Sequence, residues 1–255
     1  MLSGSINRFT SIVLNQLIAS QNATTSIVLH GISLFSILNA INVGLMGRSL
    51  EQLSRFLDYD VEKRYDLEYW INSDSAYQLI NLGHSAEETA DIYSYFLCPC
   101  ELYDRYKEIS RLFCRIHHLK VNYSNFDESN MEINKRISRE NYGLFRRLFI
   151  DSEMSENKIV VINKAYFNAY WQMRFDDSLT KRELFFDENG LSKQVNMMNQ
   201  KNFERLYDSP HYIFRILFKQ LSNENLVSAI ILPRDGHSVD EVLKILNVFV
   251  EIDIA

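Results

Sequence analysis

The chain has 255 residues, 46% of them hydrophobic and 13% aromatic, so it can bury a substantial core; 8 Gly and 3 Pro argue against a disordered or fibrous chain. The 27 Lys and Arg against 33 Asp and Glu leave a net charge of −6, which removes the electrostatic case for a nucleic-acid binder. Cys98, Cys100 and Cys114 are odd in number and sparse, and Cys98-Pro99-Cys100 lacks the spacing of a redox or zinc pair, so all three read as free thiols in a reducing compartment.

From the N-terminus, Ile6, Phe9, Ile12, Val13, Leu17 and Ile18 recur at helical spacing and predict an amphipathic helix over 4–20. No charged segment followed by an apolar core marks a leader, and no apolar run is long enough to span a bilayer. The expected location is therefore the cytoplasm of the producing or host cell, with non-classical export left open. "TSIVLH" reads as a short strand. "ISLFSILNAINVGLMG" is apolar nearly all round and predicts a buried helix, loosened at Gly44 and Gly47. Ser49 is the expected N-cap of the next helix, "LEQLSRFLDY". Residues 60–90 carry no clear pattern.

"DIYSYFLC" alternates like a strand, and "CELYDRYKEISRLF" follows as a helix with Leu102, Tyr106, Ile109 and Phe113 on one side. "RIHHLKVNY" predicts a strand, on which His117 and His118 would face opposite ways and could not share a metal. "SNMEINKRISRENYGLFRRLF" begins as a helix, with Met131, Asn134 and Ile137 aligned and Gly143 as its end. "NKIVVINKAYF" is too continuously apolar for an exposed strand and is expected to be covered on both faces. "RELFF", "FERLYD", "HYIFRILFK" and "LVSAIILP" read as antiparallel strands between turn signals, and "SVDEVLKILNVFV" as a closing helix. The expected class is α+β, in one domain over 1–255.

"KIVVINKAYFNAYWQMRFDDSLTKRELFF" resembles the signature segment of the serpin family through Asn163, Tyr166-Phe167, Trp171, Phe175 and Thr180. "QVNMMNQ" is similar to that family's Val-Pro-Met-Met segment, with Asn196 where Pro is usual. "LVSAIILPRDG" resembles a later strand and Leu-Pro turn. "SIVLHGISLFSILNAINVGLMGRSLEQLSRFLDY" resembles the family's strand, buried helix and following helix. The resemblance implies N-terminal helices packed on a large central mixed sheet plus an antiparallel sheet, incomplete at the C-terminus. It implies a "shutter" role for Ser33 and Asn163, where strands part, and a "breach" role for Trp171. Satisfied core residues are the alternative for all three.

The departures point away from inhibition. His30-Gly31 replaces the family's Ser-Pro, and Asn168-Ala169 its Lys-Gly. The sequence stops at Ala255, before the family's hinge, reactive-centre loop and last core strands. Inhibition by a serpin is strand addition within one molecule: a cleaved loop inserts into the sheet and drags the acyl-enzyme along. Three expectations follow from the resemblance. The first is a truncated, non-inhibitory serpin acting through surface contacts. The second is a protease inhibitor modulating host inflammation or apoptosis. The third is a decayed gene product. High Asn, Ile and Tyr usage fits an AT-rich genome, so a poxvirus-type source is expected. No catalytic residue, metal or cofactor is expected, since Gly-x-Ser-x-Gly, P-loop and His-Glu-x-x-His patterns are missing. The expected partner is a host protease or another host protein, with no nucleic acid and no membrane. Self-association is expected through the strands at 211–220 and 226–232, unless the tail from Ser238 folds back over them.

Overall fold

A computed structural model describes residues 2–20, 26–59, 63–122, 125–140, 159–187 and 190–249. The backbone divides into two compact units: Met1–Ile12 with Val28–Phe167, and Val13–Ile27 with Asn168–Ala255.

The first unit is built on a mixed sheet of order β2-β1-β3, formed by β1 (Ala90–Cys98), β2 (Ile116–Lys120) and β3 (Val160–Phe167). β1 pairs parallel with β2 and antiparallel with β3. Strand alternation sorts the side chains onto two faces. Tyr95, Leu97, Leu119 and Val121 pack against Ile133 and Ile137 of α7 (Phe126–Glu140). The opposite face, with Ser94, Phe96 and His118, meets α2 (Gly31–Gly44) and α6 (Asp104–Cys114). Among the described residues β3 is an edge strand, as is β2. β3 is half-buried, with Tyr166 and Phe167 exposed, so the expected cover on both faces is not found.

α1 (Leu2–Ser20) lays Phe9 edge-on against Phe35 of α2 and Phe56 of α3 (Gly47–Leu57). The apolar surround of α2 is matched by burial of Phe35, Ile37, Ala40 and Val43. α1 and α2 approach closely because Gly31 has no side chain: a Cβ there would lie 2.9 Å from the Cβ of Thr10. α2 ends at Gly44, where Tyr106 of α6 comes within 3.2 Å of a built Cβ.

Several local expectations are corrected. Residues 26–30 form no strand; Val28 is exposed and His30 caps α2 instead. Helix α3 starts at Gly47 after Met46, which places Ser49 inside the first turn and not at its cap. Leu102 precedes α6, and α7 buries Ile133 and Ile137 while Met131 is exposed. Gly143 as the end of α7 lies outside the described residues. The unpatterned stretch holds α4 (Leu67–Asn72), capped by Asp66, and α5 (Asp74–Thr89), capped by Ser73. Cys98 and Cys100 are joined as a disulfide and are not free thiols. The two cysteines flank one proline, and this brings their Cα atoms within 5.4 Å, inside bridging range. Cys114 is free and buried, and burial pushes its thiol up to about 12.

Between α6 and β2 the chain turns at Arg115, which sits in the left-handed region (φ 56). Its guanidinium pairs with Glu87 and His84 of α5 and lies over Gly83.

The second unit carries two antiparallel sheets: β4 (Lys181–Phe186) with β5 (Ser192–Met197), and β6-β7-β8 (Arg205–Tyr207, Phe214–Gln220, Val227–Pro233). β5 is a strand that turn signals and apolar runs do not reveal. α8 (Val239–Phe249) follows, with Val242 buried. Among the described residues no helix is long and apolar enough to cross a membrane.

Candidate functional site

His30 stands in extended conformation before α2, and its Nδ1 accepts from the Ser33 backbone N–H at 3.2 Å. This is an N-cap bond, here made by an imidazole in place of the usual hydroxyl or carboxylate. The cap needs a lone pair on Nδ1, so the ring must be neutral. Burial lowers the pKa of His30 and favours that form. One turn into the helix, the Ser33 hydroxyl donates to Asn163 Oδ1 at 2.7 Å, with the His30 carbonyl as a second acceptor at 3.1 Å. Asn163 lies directly opposite Ser94 across the β1–β3 pair, and its Nδ2 donates to the Ser94 hydroxyl at 2.9 Å. A single amide thus ties the start of α2 to two neighbouring strands. Ser33 and Ser94 are both buried, so these bonds compete little with water. A cavity of about 30 Å³ adjoins the network, lined by Ser33, Ser94, Ile92, Phe113, Cys114 and Arg115.

Trp171 belongs to a different arrangement in the second unit. Its backbone forms an isolated bridge to Leu221, and the next N–H, Gln172, donates to the Gln220 carbonyl at 3.0 Å. The ring is part-buried beside the ammonium of Lys219, which lies 5.6 Å from the Trp171 centroid and 5.1 Å from that of Phe175. Lys219 Nζ donates to Gln200 Oε1 at 2.7 Å and to Glu204 Oε1 at 2.8 Å. Gln200 passes the grip onward, donating through Nε2 to the carbonyls of Met173 and Arg174.

The family model described as "Serpin (serine protease inhibitor)" matches residues 4–251. The chain belongs to the serpin family. It is 22% identical to human antithrombin-III over 254 residues, covering 96% of this chain and 54% of that protein. Mouse serpin A12 is likewise 22% identical, covering 94% of this chain and 56% of its own length. The chain therefore spans about half the length of the curated relatives it matches. Among solved structures, mouse protein-Z dependent protease inhibitor superposes with a TM-score of 0.80 at 17% identity, over 95% of this chain and 64% of that one. The α+β serpin fold, with its mixed and antiparallel sheets, is thus shown.

Against this serpin frame, Ser33 and Asn163 are in direct contact, joined by a residue the sequence reading missed, Ser94. Its signal is weak: one serine amid the aromatic and aliphatic residues of β1. In sequence His30 stands out only where the family has Ser, and its capping role arises from the fold around the start of α2. Trp171 does not join this network. Its cationic neighbour is Lys219, held in turn by Gln200 and Glu204; Gln200 lies within the "QVNMMNQ" segment, and no motif marks Lys219 or Glu204.

Proposed function

We propose that this serpin acts by contact with a protease or another host protein, and that residues 1–255 by themselves do not trap a protease covalently. The single observation that supports a strand-parting scaffold is the Ser33–Asn163–Ser94 chain of hydrogen bonds. It holds two strands and a helix together through groups whose bonds can break and re-form without loss of a covalent link. Covalent trapping needs more of a serpin than this: residues 1–255 span about half of the relatives' length. In this reading the chain performs no catalysis of its own and uses no cofactor. A viral source is supported by the Asn-, Ile- and Tyr-rich residue usage, and a host-directed role rests on that source.

The test is incubation of the 255-residue polypeptide with trypsin-like, elastase-like and caspase-like proteases, followed by SDS gels and intact mass. No SDS-resistant adduct is expected, and one with any of these enzymes overturns the proposal.

A second reading, self-association, is favoured by a row of apolar side chains. Leu206, Leu217 and Ile230 stand directly opposite one another across β6, β7 and β8, with Leu232 two residues on. Leu206 is 58% exposed and Leu232 56%. Such a face is an association surface or an aggregation hazard. Sedimentation of the purified polypeptide decides: a monomer that binds little hydrophobic dye eliminates self-association.

A further inference from the structure

Among the described residues Lys219 is the one charged residue that is buried, at 4% exposed. A buried ammonium is costly unless its charge and its three N–H groups are all answered. Two N–H groups go to oxygens, those of Gln200 and Glu204. The remaining side of the ammonium faces two aromatic rings, Trp171 and Phe175. Ring faces are negative and attract a desolvated cation. The carboxylate of Glu204 is itself steadied by Asn202, whose Nδ2 donates to the same Oε1 at 3.3 Å. The four groups around Lys219 Nζ come from two separate stretches of chain, 171–175 and 200–204, and converge on one atom of a third.

We infer that Trp171, Phe175, Gln200 and Glu204 form a cation cage whose native occupant is the ammonium of Lys219, and that Lys219 is thereby the positioning residue for Trp171 and the turn that follows it. The strand β7 supplies the cation from within the sheet. The cage walls are two rings of the 171–175 segment and two polar side chains of the 200–204 segment. Gln200 closes the circuit by holding the Met173 and Arg174 carbonyls while accepting from Lys219. Charge and shape are both needed. Methionine would fill the volume and leave Glu204 and both ring faces unanswered. Arginine's planar fork would not fit a site built around a point charge.

The chain has two tryptophans, so labelling with 5-fluorotryptophan gives two fluorine resonances, one for Trp70 and one for Trp171. Lys219→Ala is expected to shift and broaden the Trp171 resonance and leave that of Trp70 in place. Titration with n-propylammonium should then restore the original position saturably, because the free amine refills the cage. n-Propanol, of similar length and without charge, should not. Restoration by both compounds alike, or by neither, overturns the cage. Should Lys219→Ala fail to fold, Lys219→Met and Glu204→Gln keep the shape and change only the charge. Each is expected to move the Trp171 resonance, and an unmoved resonance in both overturns the inference.

Discussion

Replacing Asn163 by alanine removes the amide that joins α2 to β1 and β3, and its cost can be built from the geometry. Two neutral hydrogen bonds are lost, at 2.7 Å to Ser33 and 2.9 Å to Ser94. Each contributes about 1 kcal/mol net, and a buried polar group left unpaired costs about 1–3 kcal/mol. The Ser33 hydroxyl keeps a fallback acceptor, the His30 carbonyl at 3.1 Å, so its share lies near the low end. Ser94 is buried and loses the donor it accepts from. The expected loss is about 2–3 kcal/mol. Ser33→Ala removes one bond and leaves Asn163 part-exposed, for about 1 kcal/mol. Because the two changes share a bond, the double variant should fall short of their sum by about 1 kcal/mol. Urea unfolding followed by circular dichroism measures all four proteins of the cycle. A loss for Asn163→Ala within about 0.5 kcal/mol, the range of ordinary surface changes, or strictly additive single changes, would refute the network as a latch.

Trp171→Ala is expected to cost about 2–3 kcal/mol, below the range for a fully buried ring because Trp171 is part-exposed; a loss under about 1 kcal/mol in the same assay would remove it from the load-carrying set. Gly31→Ala drives a methyl group into Thr10 and should destabilise by about 1–3 kcal/mol, with Thr10→Ala restoring part of the loss; an unchanged melting temperature would refute the close approach. Stability should also fall on acidification. Burial pushes His118 from its ordinary 6.5 down to about 4, and lowers His30 in the same sense. His118 Nε2 shares a 2.8 Å hydrogen bond with the Ser110 hydroxyl, which itself donates to the Tyr106 carbonyl, and His118 Nδ1 is buried with no partner among the described residues. A proton on Nδ1 would therefore find no acceptor. The unfolded chain binds that proton at a higher pH than the folded one, so stability is full above pH 6.5 and is lost as the pH falls toward about 4. Solvent screening of this part-exposed ring reduces the effect to about 1 kcal/mol. Urea midpoints against pH, compared with His118→Gln, check it, and identical slopes in the two proteins would refute the assignment.

The parts legible in the sequence are those where a local pattern and the tertiary environment agree. α2 is apolar all round and is buried; the strand containing Asn163 is apolar and lies in the mixed sheet. Where only tertiary contacts decide, the pattern misleads. "TSIVLH" has strand character, yet residues 26–30 pair with no strand among the described residues, and His30 caps α2. Asp66 and Ser73 are proper caps and each accepts from the third helical N–H. The first of these helices has only six residues and the second mixes polar and apolar residues on every side, so neither shows a clear period. Ser33 and Asn163 were found through resemblance to a family, and the apolar run around Asn163 made its amide conspicuous. Lys219 left no comparable mark. A lysine in an amphipathic strand reads as surface, and only the convergence of distant segments makes it interior.

Arg115 illustrates how a position can look idle and still be heavily used. Its left-handed backbone disfavours any side chain by about 1–2 kcal/mol. Its guanidinium pairs with Glu87 and His84 and roofs Gly83. Arg115→Gly relaxes the first and discards the second, so the two changes oppose each other. A mutational tolerance map would score glycine there as silent and invite the conclusion that the residue is spare. Lysine and alanine, which keep the strain but shorten or delete the reach, would score as harmful at the same position. The substitution profile of Arg115, and not its average, carries the information: tolerance of glycine alone is the signature of a residue whose backbone and side chain pull in opposite directions.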